Sequence, residues 1–346
     1  MTMTASGSRR WPKAKVVVPY PVSNSSVRTR AMHWIERLES AGVIDASEVA
    51  IVGPGFDSMT EDDAIPTLLL RNVARFSRGR REVALLRRGA PGVYDIDDGL
   101  PWDDGTLDDL GRWWKRPWPR SLIARRAASA ADRMIVGNEV LADWASDFCA
   151  DVRIVPTCVE PADYTRRAAW DSLSIACIGW IGSPATDRYV RDIAPALRTV
   201  HERCGAQVEL MGASPSMATA IGPFCKVVPW HVDAAHVRIA TWDVGIMPLR
   251  NGAYERAKCG YKLLQYAAAG VPTVASPVGV NRTLVDAMDG AAPESAADWI
   301  EALVAMLSEP SDRRRRRALA GFDVAERYSY AAHESAWLDA VGWSVA

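Results

Sequence analysis

The chain has 346 residues, 49% of them apolar, which suits two α/β domains with sizeable cores. A formal net charge of −1 excludes the overall electropositive surface that a general nucleic-acid or anionic-membrane binder needs. No apolar run approaches a membrane span, VVVPYPV is too short for a signal-peptide core, and six scattered cysteines lack CxxC or zinc spacing, so a cytoplasmic, reducing setting is expected.

Residues 1–12 are polar and read as a frayed lead-in. The first strand is expected at 15–19 (KVVVP), followed by the loop YPVSNSSVRTR and a helix through Leu38 to Gly42. The Ser-rich loop leads into that helix with Ser25, Arg28 and Arg30; it fits an acceptor or phosphate contact, and equally an exposed arginine pair. Further strands are expected at 49–52 (VAIV), 83–86 (VALL), 93–96 (VYDI), 134–136 (MIV) and 152–155 (VRIV). Helical stretches are expected at 64–79, 120–131 and 138–148.

The acidic run VYDIDDGLPWDDG places Asp97 and Asp98 at a strand's carboxyl end, where a carboxylate can orient or deprotonate a hydroxyl. A capping, solvated loop is the plainer reading of the same residues. Trp102, Trp113, Trp114 and Trp118 follow, rings that could stack on a sugar or cover the sheet. The stretch 156–172 (PTCVEPADYTRRAAWDS), rich in breakers and charge, reads as an interdomain linker.

The alternation then restarts, with strands expected at 173–178, 207–211, 226–229, 244–247 and 273–275. Helices are expected at 186–203, 232–240, 257–269, 294–308, 312–326 and about 330–342. The run Arg313–Arg317 sits inside a helix and reads as a solvated face. Repeated strand–helix alternation means a parallel, doubly wound sheet in each half. Two such Rossmann-like halves would face each other across a cleft at the carboxyl ends of both sheets, where open parallel sheets bind ligands. No GxGxxG follows the first strand, which argues against a nicotinamide dehydrogenase. The five histidines form no HExxH pair or ligand cluster, so no metal site is expected.

Two stretches carry the most chemistry. In KCGYKLLQYAAAGVPTVASPVGVN (258–281), Gly260 enters a helix between Lys258 and Lys262, and Gly270 with Pro272 ends it before a short strand. A helix N-terminus beside two ammonium groups makes a phosphate site; an ordinary crossover with surface lysines is the alternative. In IGWIGSPAT (178–186), Gly182 lets the backbone approach a ligand, and Ser183 or Thr186 can cap the next helix. Trp230, in PWH (229–231), follows another strand end.

These stretches, with RMIVGNEVLADWA (133–145), VRIVPTCVEPADY and DVGIMPLR (243–250), resemble the GT-B glycosyltransferases of family 4 and their near relatives. The resemblance implies an acceptor-binding domain over 1–160, a sugar-nucleotide-binding domain over 161–328, and a final helix, 329–346, crossing back to the first domain. It implies that Gly260, Tyr261 and the helix start meet the donor diphosphate, which Lys258 and Lys262 neutralise. Gly182 and Ser183 would form a second wall of that site, and Trp230 would lie by the nucleotide base. Gln265 stands where the family has the glutamate that holds the ribose, and Ala257 where it has the glutamate that contacts the sugar. Glu255, two residues away, is a candidate to substitute for it by a different loop path.

The activity implied is retaining transfer of a sugar from a UDP- or GDP-sugar to a hydroxyl of a small-molecule or cell-surface acceptor. The nucleoside diphosphate sugar is a co-substrate; no cofactor and no metal are expected, nor a nucleic-acid partner. The departures at Ala257 and Gln265 prompt two alternatives: another activated donor such as phosphoribosyl diphosphate, or a catalytically idle sugar- or partner-binding homologue.

Overall fold

A computed structural model describes residues 13–53, 64–73, 77–103, 118–167 and 175–343. By its internal contacts the chain divides into two compact units. Unit 1 takes 1–157, 256–259 and 333–346; unit 2 takes 158–255 and 260–332. The tetrapeptide Arg256–Cys259 therefore packs with the first unit, although it lies inside the range read from sequence as the second domain. Among the described residues no helix is long and apolar enough to cross a membrane.

Unit 1 holds β1 (Ala14–Val17), β2 (Val49–Val52), β3 (Thr67–Leu70), β4 (Gly92–Ile96), β5 (Arg133–Val136) and β6 (Val152–Ile154). They pair in parallel in the order β2-β1-β3-β4-β5-β6. Its helices are α1 (Ser25–Val27), α2 (His33–Ser40), α3 (Arg80–Arg88), α4 (Arg120–Ala128) and α5 (Glu139–Ser146), with a π-helical stretch, Arg28–Met32, between the first two. The chain proceeds from β1 to β2 on one side and then to β3 on the other, so strand order reverses between β1 and β3.

Two local expectations are overturned here. Residues 64–79 contain β3, and VALL lies within α3. Leucine's helical preference misleads over 67–70, where Leu68, Leu69 and Leu70 fill a central strand buried on both faces. In RREVALLRR, by contrast, Leu85 and Leu86 turn inward while Arg80, Arg87 and Arg88 lie in solvent, a helical stripe only nine residues long.

Unit 2 holds β7 (Cys177–Ile181), β8 (Gln207–Met211), β9 (Cys225–Val228), β10 (Val244–Met247) and β11 (Thr273–Ala275), parallel and ordered β11-β10-β7-β8-β9. Around them run α6 (Arg188–Asp192), α7 (Ala194–Cys204), α8 (Ser216–Ile221), α9 (Val232–Arg238), α10 (Ala253–Arg256), α11 (Tyr261–Ala269), α12 (Asn281–Ala287), α13 (Ala296–Leu307) and α14 (Ser311–Arg327). Strand order reverses between β7 and β10.

Period-two alternation sends Ile178 and Trp180 into one apolar layer with α7 and α13, and Ile181 into the other with α11 and α14. β7 begins four residues later than its sequence reading, because its true centre, Gly179-Trp180, looks like a break. Gly179 is needed there: a Cβ would lie 1.8 Å from the Trp242 ring.

The last helix, α15 (Tyr330–Val341), crosses the unit boundary at His333. Within unit 1 its Trp337 stacks on Trp34 at 5.2 Å, Arg37 Nε donates to Glu334 at 2.7 Å, and Arg133 Nη1 donates to the Asp339 carbonyl at 2.6 Å.

The arginine run is not a uniformly solvated face. Arg314 is buried against Asp243 (3.3 Å), Arg313 pairs with Asp289 (2.8 Å) and Arg317 with Glu309 (2.6 Å). All six cysteines are free thiols; Cys149, Cys158 and Cys225 are buried, and Cys204 is exposed.

Candidate active site

In unit 2 the chemistry-bearing residues gather on loops that leave the carboxyl ends of β7, β10 and β11. Gly260 adopts φ +70° immediately before α11, and a Cβ there would lie 2.5 Å from Leu284 Cδ1. The left-handed backbone favours glycine, and the Leu284 side chain would have to shift for anything larger. The Gly260 carbonyl accepts from Leu263 N at 2.9 Å, closing the first turn of α11. Beneath the turn Asn281 is fully buried: Nδ2 donates to the Ser276 carbonyl at 3.3 Å, while Oδ1 has no hydrogen-bond partner.

The Trp180 indole separates Gly182 from Lys262. A Cβ on Gly182 would lie 2.2 Å from the ring, and Lys262 Nζ sits 5.8 Å from its centroid. Ser183 and Thr186 do not cap α6, as the sequence suggested. They close a turn of their own: Thr186 Oγ1 donates to the Ser183 carbonyl at 3.1 Å, and Asp187 stands at the N-cap without a capping bond. Ser183 is thereby left exposed at the tip.

Gln265 is buried, and its Nε2 donates to Tyr164 Oη at 3.1 Å. Tyr261 also hydrogen-bonds Tyr164, and burial together with this neighbour pushes the Tyr164 phenol well above its ordinary pKa. Trp230, half-buried just ahead of α9, packs on the α11–α14 layer. Glu255, in α10, is buried and accepts from Tyr189 Oη at 2.6 Å. Ala257 is fully buried in the apolar cluster of unit 1.

In unit 1 the corresponding strand ends carry a network of charges. Arg71 leaves β3 with φ +54°, a left-handed conformation rare for a residue with a Cβ. It donates Nη1 to Ser26 Oγ and Nη2 to Asp98 Oδ2, each at 2.9 Å, with Nη1 3.8 Å from Asp97 Oδ1. Lys258 Nζ meets Asp98 Oδ1 at 2.9 Å, where Gly99 N also donates. Burial works against the Asp98 charge, but Lys258 and Arg71 outweigh it and hold the carboxyl well below the usual carboxylate range. Asp98 is thus a fixed anion and a poor base, which corrects half of the paired-aspartate expectation. Asp97 Oδ1 is buried without a hydrogen-bond partner. Lys258, expected beside the diphosphate, is instead held by Asp98.

Arg30 is no acceptor contact. Its guanidinium is buried in a two-pronged bridge to Asp95 (2.9 and 2.6 Å) and donates to the Val155 carbonyl at 2.9 Å. Burial disfavours its charge, yet Asp95 prevails and lifts its pKa above the ordinary value. The same bridge occupies both oxygens of Asp95, leaving Asp95-Ile96-Asp97 no paired chelate. Arg28 is partly buried, 3.9 Å from Glu36, and Ser25 is exposed at the start of α1.

Asn138 caps α5 through Leu141 N (3.0 Å) and donates to the Ala257 carbonyl at 2.8 Å, pinning the 256–259 segment. Cys259 Sγ donates to the Asp97 carbonyl at 3.2 Å, and burial, helped by Asp97, pushes this thiol up to about 12. Trp102 packs on Trp144 at 6.5 Å and Trp118 lies under Arg78 at 3.5 Å; Trp113 and Trp114 fall outside the described residues.

Arg71, Ser26, Asn138, Tyr164 and Tyr189 were missed by sequence reasoning. Arg71 was hidden because its segment read as helix, although its position directly after Leu68-Leu69-Leu70 at a strand end was a usable signal.

Residues 174–309 match the sequence model of the family described as Glycosyl transferases group 1. No curated protein matches the chain significantly in sequence. Among solved structures the chain is similar to WaaG, a glycosyltransferase involved in lipopolysaccharide biosynthesis, at 15% identity over 95% of this chain and 100% of that one, with a TM-score of 0.64. It is similar to a trehalose-6-phosphate protein from E. coli bound with UDP-2-fluoro glucose, at 11% identity over 96% and 99% of the two chains, TM-score 0.63. A TarM variant from S. aureus, solved with fondaparinux, alpha-GlcNAc-glycerol and UDP, is 12% identical over 90% of this chain, TM-score 0.55. The chain spans 58% of that TarM protein's length. At these identities the likeness carries the fold. Residues 174–309 are thus similar to the glycosyl transferases group 1, on a chain with the GT-B fold of the glycosyltransferases it resembles.

Proposed function

We propose that the protein transfers a sugar, with retention, from a nucleoside diphosphate sugar to an acceptor hydroxyl. The observation that carries this reading is Gly260, left-handed and closely packed, opening α11 inside the matched family region. The α11 N-terminus, with Tyr261 and Lys262, takes the diphosphate, and the Gly182–Ser183 turn lines it. Gln265, anchored by Tyr164, meets the ribose, and Trp230 lies by the base. UDP is the base-bearing moiety favoured, since two similar proteins were solved with UDP or a UDP-sugar.

The acceptor hydroxyl is handled on unit 1, where Asp97 Oδ1 is buried without a hydrogen-bond partner and Ser25 and Arg28 follow β1. Arg71, Asp98 and Lys258 hold the surrounding charge. The bond from the anomeric carbon to the diphosphate oxygen breaks as the bond to the acceptor oxygen forms. The departing oxygen, or Asp97, takes the acceptor's proton. No metal is required for this step, and we place the protein in the cytoplasm.

The test is release of UDP or GDP from a panel of sugar nucleotides with mixed acceptors. Lys262→Ala is expected to lower turnover at least a hundredfold with its thermal midpoint retained. Wild-type rates in that variant would remove Lys262 from the diphosphate. Stabilisation by phosphoribosyl diphosphate and by no nucleotide would replace the donor, and Gln265's engagement with Tyr164 is the observation that keeps that donor in view. Diphosphate release from no donor would favour the idle homologue.

A further inference from the structure

The net charge of −1 conceals one strongly basic face, on the outside of unit 1. It is made by α3 and α4, which pack on each other. A Cβ on Gly79, just ahead of α3, would lie 3.2 Å from Arg126 Cβ, and Arg126 Nη1 donates to the Arg78 carbonyl at 2.7 Å. Across this pair Arg78, Arg80, Arg87, Arg88, Arg125 and Arg126 are exposed. Among the described residues none of the six has a carboxylate within ion-pair distance. Several exposed arginines of unit 2 do face an acid: Arg203 meets Glu301 at 2.7 Å and Arg316 meets Asp312 at 3.1 Å.

The basic side chains are ordered. Arg80, Ala84, Arg87 and Arg88 stand at i, i+4, i+7 and i+8, a single solvent stripe, while Leu85 and Leu86 are buried on the other side of α3. Glu82, the one acid in α3, is fully buried beneath the stripe and accepts from Val73 N at 3.0 Å and Ser77 Oγ at 3.1 Å. α4, RSLIARRAA, contains no acid. Folding does not account for the arrangement. The helix dipole favours Arg87 and Arg88 in the last turn, but it disfavours Arg80 in the first, and gathered like charges repel.

The stripe also has a direction. Asn72, just past β3, donates Nδ2 to the Arg120 carbonyl at 3.0 Å, so α4 starts at the carboxyl edge of the sheet. At the far end of α3 a Cβ on Gly89 would lie 2.8 Å from Thr67 Cβ, where β3 begins. Arg78 and Arg80 therefore lie toward the edge that carries Asp97, and Arg87 is about 10 Å further along the helix axis.

A row of unpaired guanidiniums matches a chain of repeated anions, and the guanidinium fork fits phosphate oxygens in particular. A lipid surface calls for apolar side chains to insert, and the exposed large apolar residues, Val22, Ile154, Ile175, Val237 and Leu319, lie outside both helices. A single nucleic-acid strand calls for open ring faces, and the Trp118 ring is covered by Arg78 at 3.5 Å. We infer that the α3–α4 face holds a linear polyol or saccharide chain bearing phosphates, and that the acceptor hydroxyl belongs to such a chain. The inference rests on the proposed transfer to an acceptor on unit 1 and adds the acceptor's class, a polyanion docked away from the reacting hydroxyl.

The experiment measures binding of fluorescently labelled inorganic polyphosphate to the full chain by anisotropy, with excess UDP present to fill the diphosphate site. Arg80→Gln/Arg87→Gln/Arg88→Gln removes three charges from the stripe. Arg203→Gln/Arg315→Gln/Arg316→Gln removes three exposed charges from unit 2. Wild-type affinity is expected to fall steeply with salt, and the stripe variant to bind at least roughly tenfold more weakly with a shallower salt dependence. The unit 2 variant should stay within about twofold of wild type, and both variants should melt as wild type does. Diphosphate release with a small neutral acceptor should be unchanged in the stripe variant, because the stripe touches neither the donor nor the reacting hydroxyl.

Equal weakening in the two variants, or no binding by wild type, would overturn the inference and leave the donor site intact. So would tighter binding, at equal phosphate concentration, to anionic phospholipid vesicles or to DNA. Should the triple stripe variant fail to fold, wild-type affinity in both Arg80→Gln and Arg87→Gln overturns it instead. Polyphosphate binding on the stripe with diphosphate release from no donor would remove the acceptor role together with the proposed function.

Discussion

At the scale of single residues, the same side-chain type divides by its company. Asp95, Asp97 and Asp98 sit within four positions: the first neutralises Arg30, the third is locked by Arg71 and Lys258, and only the second keeps an unbonded buried oxygen. Sequence brings out the acidic run but cannot rank its members, since the ranking comes from partners 27 to 160 positions away. Asp98 supplies a pH test. Its folded pKa is depressed, so its contribution is fully present above the unfolded value of roughly 4 and is lost as pH falls below that. At pH 7 Asp98→Asn is expected to lower stability by about 1–3 kcal/mol. Urea midpoints taken between pH 7 and pH 3 should show the difference between variant and wild type shrinking as acid is added. A constant difference across that range would contradict the assignment.

At the scale of elements, legibility followed burial and length. The helices at 261–269, 296–307 and 311–327 and the strands at 207–211, 244–247 and 273–275 lie close to their expected spans, because long periodic stripes and short apolar runs bounded by glycine are unambiguous. Where a strand was Leu-rich (67–70) or contained Gly179-Trp180, helix preference and apparent breakers won the local reading, and tertiary burial reversed it. α11 is the element on which both halves of the argument meet. Gly260→Ala is expected to cost about 1–2 kcal/mol for its left-handed backbone alone, with the Leu284 contact adding to it. Because the first turn must shift, diphosphate affinity should fall more than tenfold, read by calorimetry alongside thermal melting. A stable variant with native affinity would show that the turn is not the anion site.

At the scale of the whole molecule, each sheet has one reversal of strand order, β1–β3 in unit 1 and β7–β10 in unit 2. Two-domain alternation was evident in the sequence. The return of Arg256–Cys259 to unit 1 was not, because nothing in four residues announces which core will take an alanine. Asn138→Ala tests that return: loss of the α5 cap and of the bond to the Ala257 carbonyl should together cost about 2 kcal/mol. Alkylation at Cys259, followed by mass spectrometry, should speed up in the variant, and an unchanged rate would mean the segment is held by other contacts.

The same discontinuity bears on synthesis. A ribosome that has released the first 157 residues has made six parallel strands whose assembly still lacks Ala257, the Cys259 thiol beside Gly137, and the indole that stacks on Trp34. Those parts emerge about 100 and about 180 residues later, at a rate of roughly 5–20 residues per second. The N-terminal unit therefore waits about 10 to 35 seconds, unfinished, for its last pieces, and the half of the protein made first is completed last.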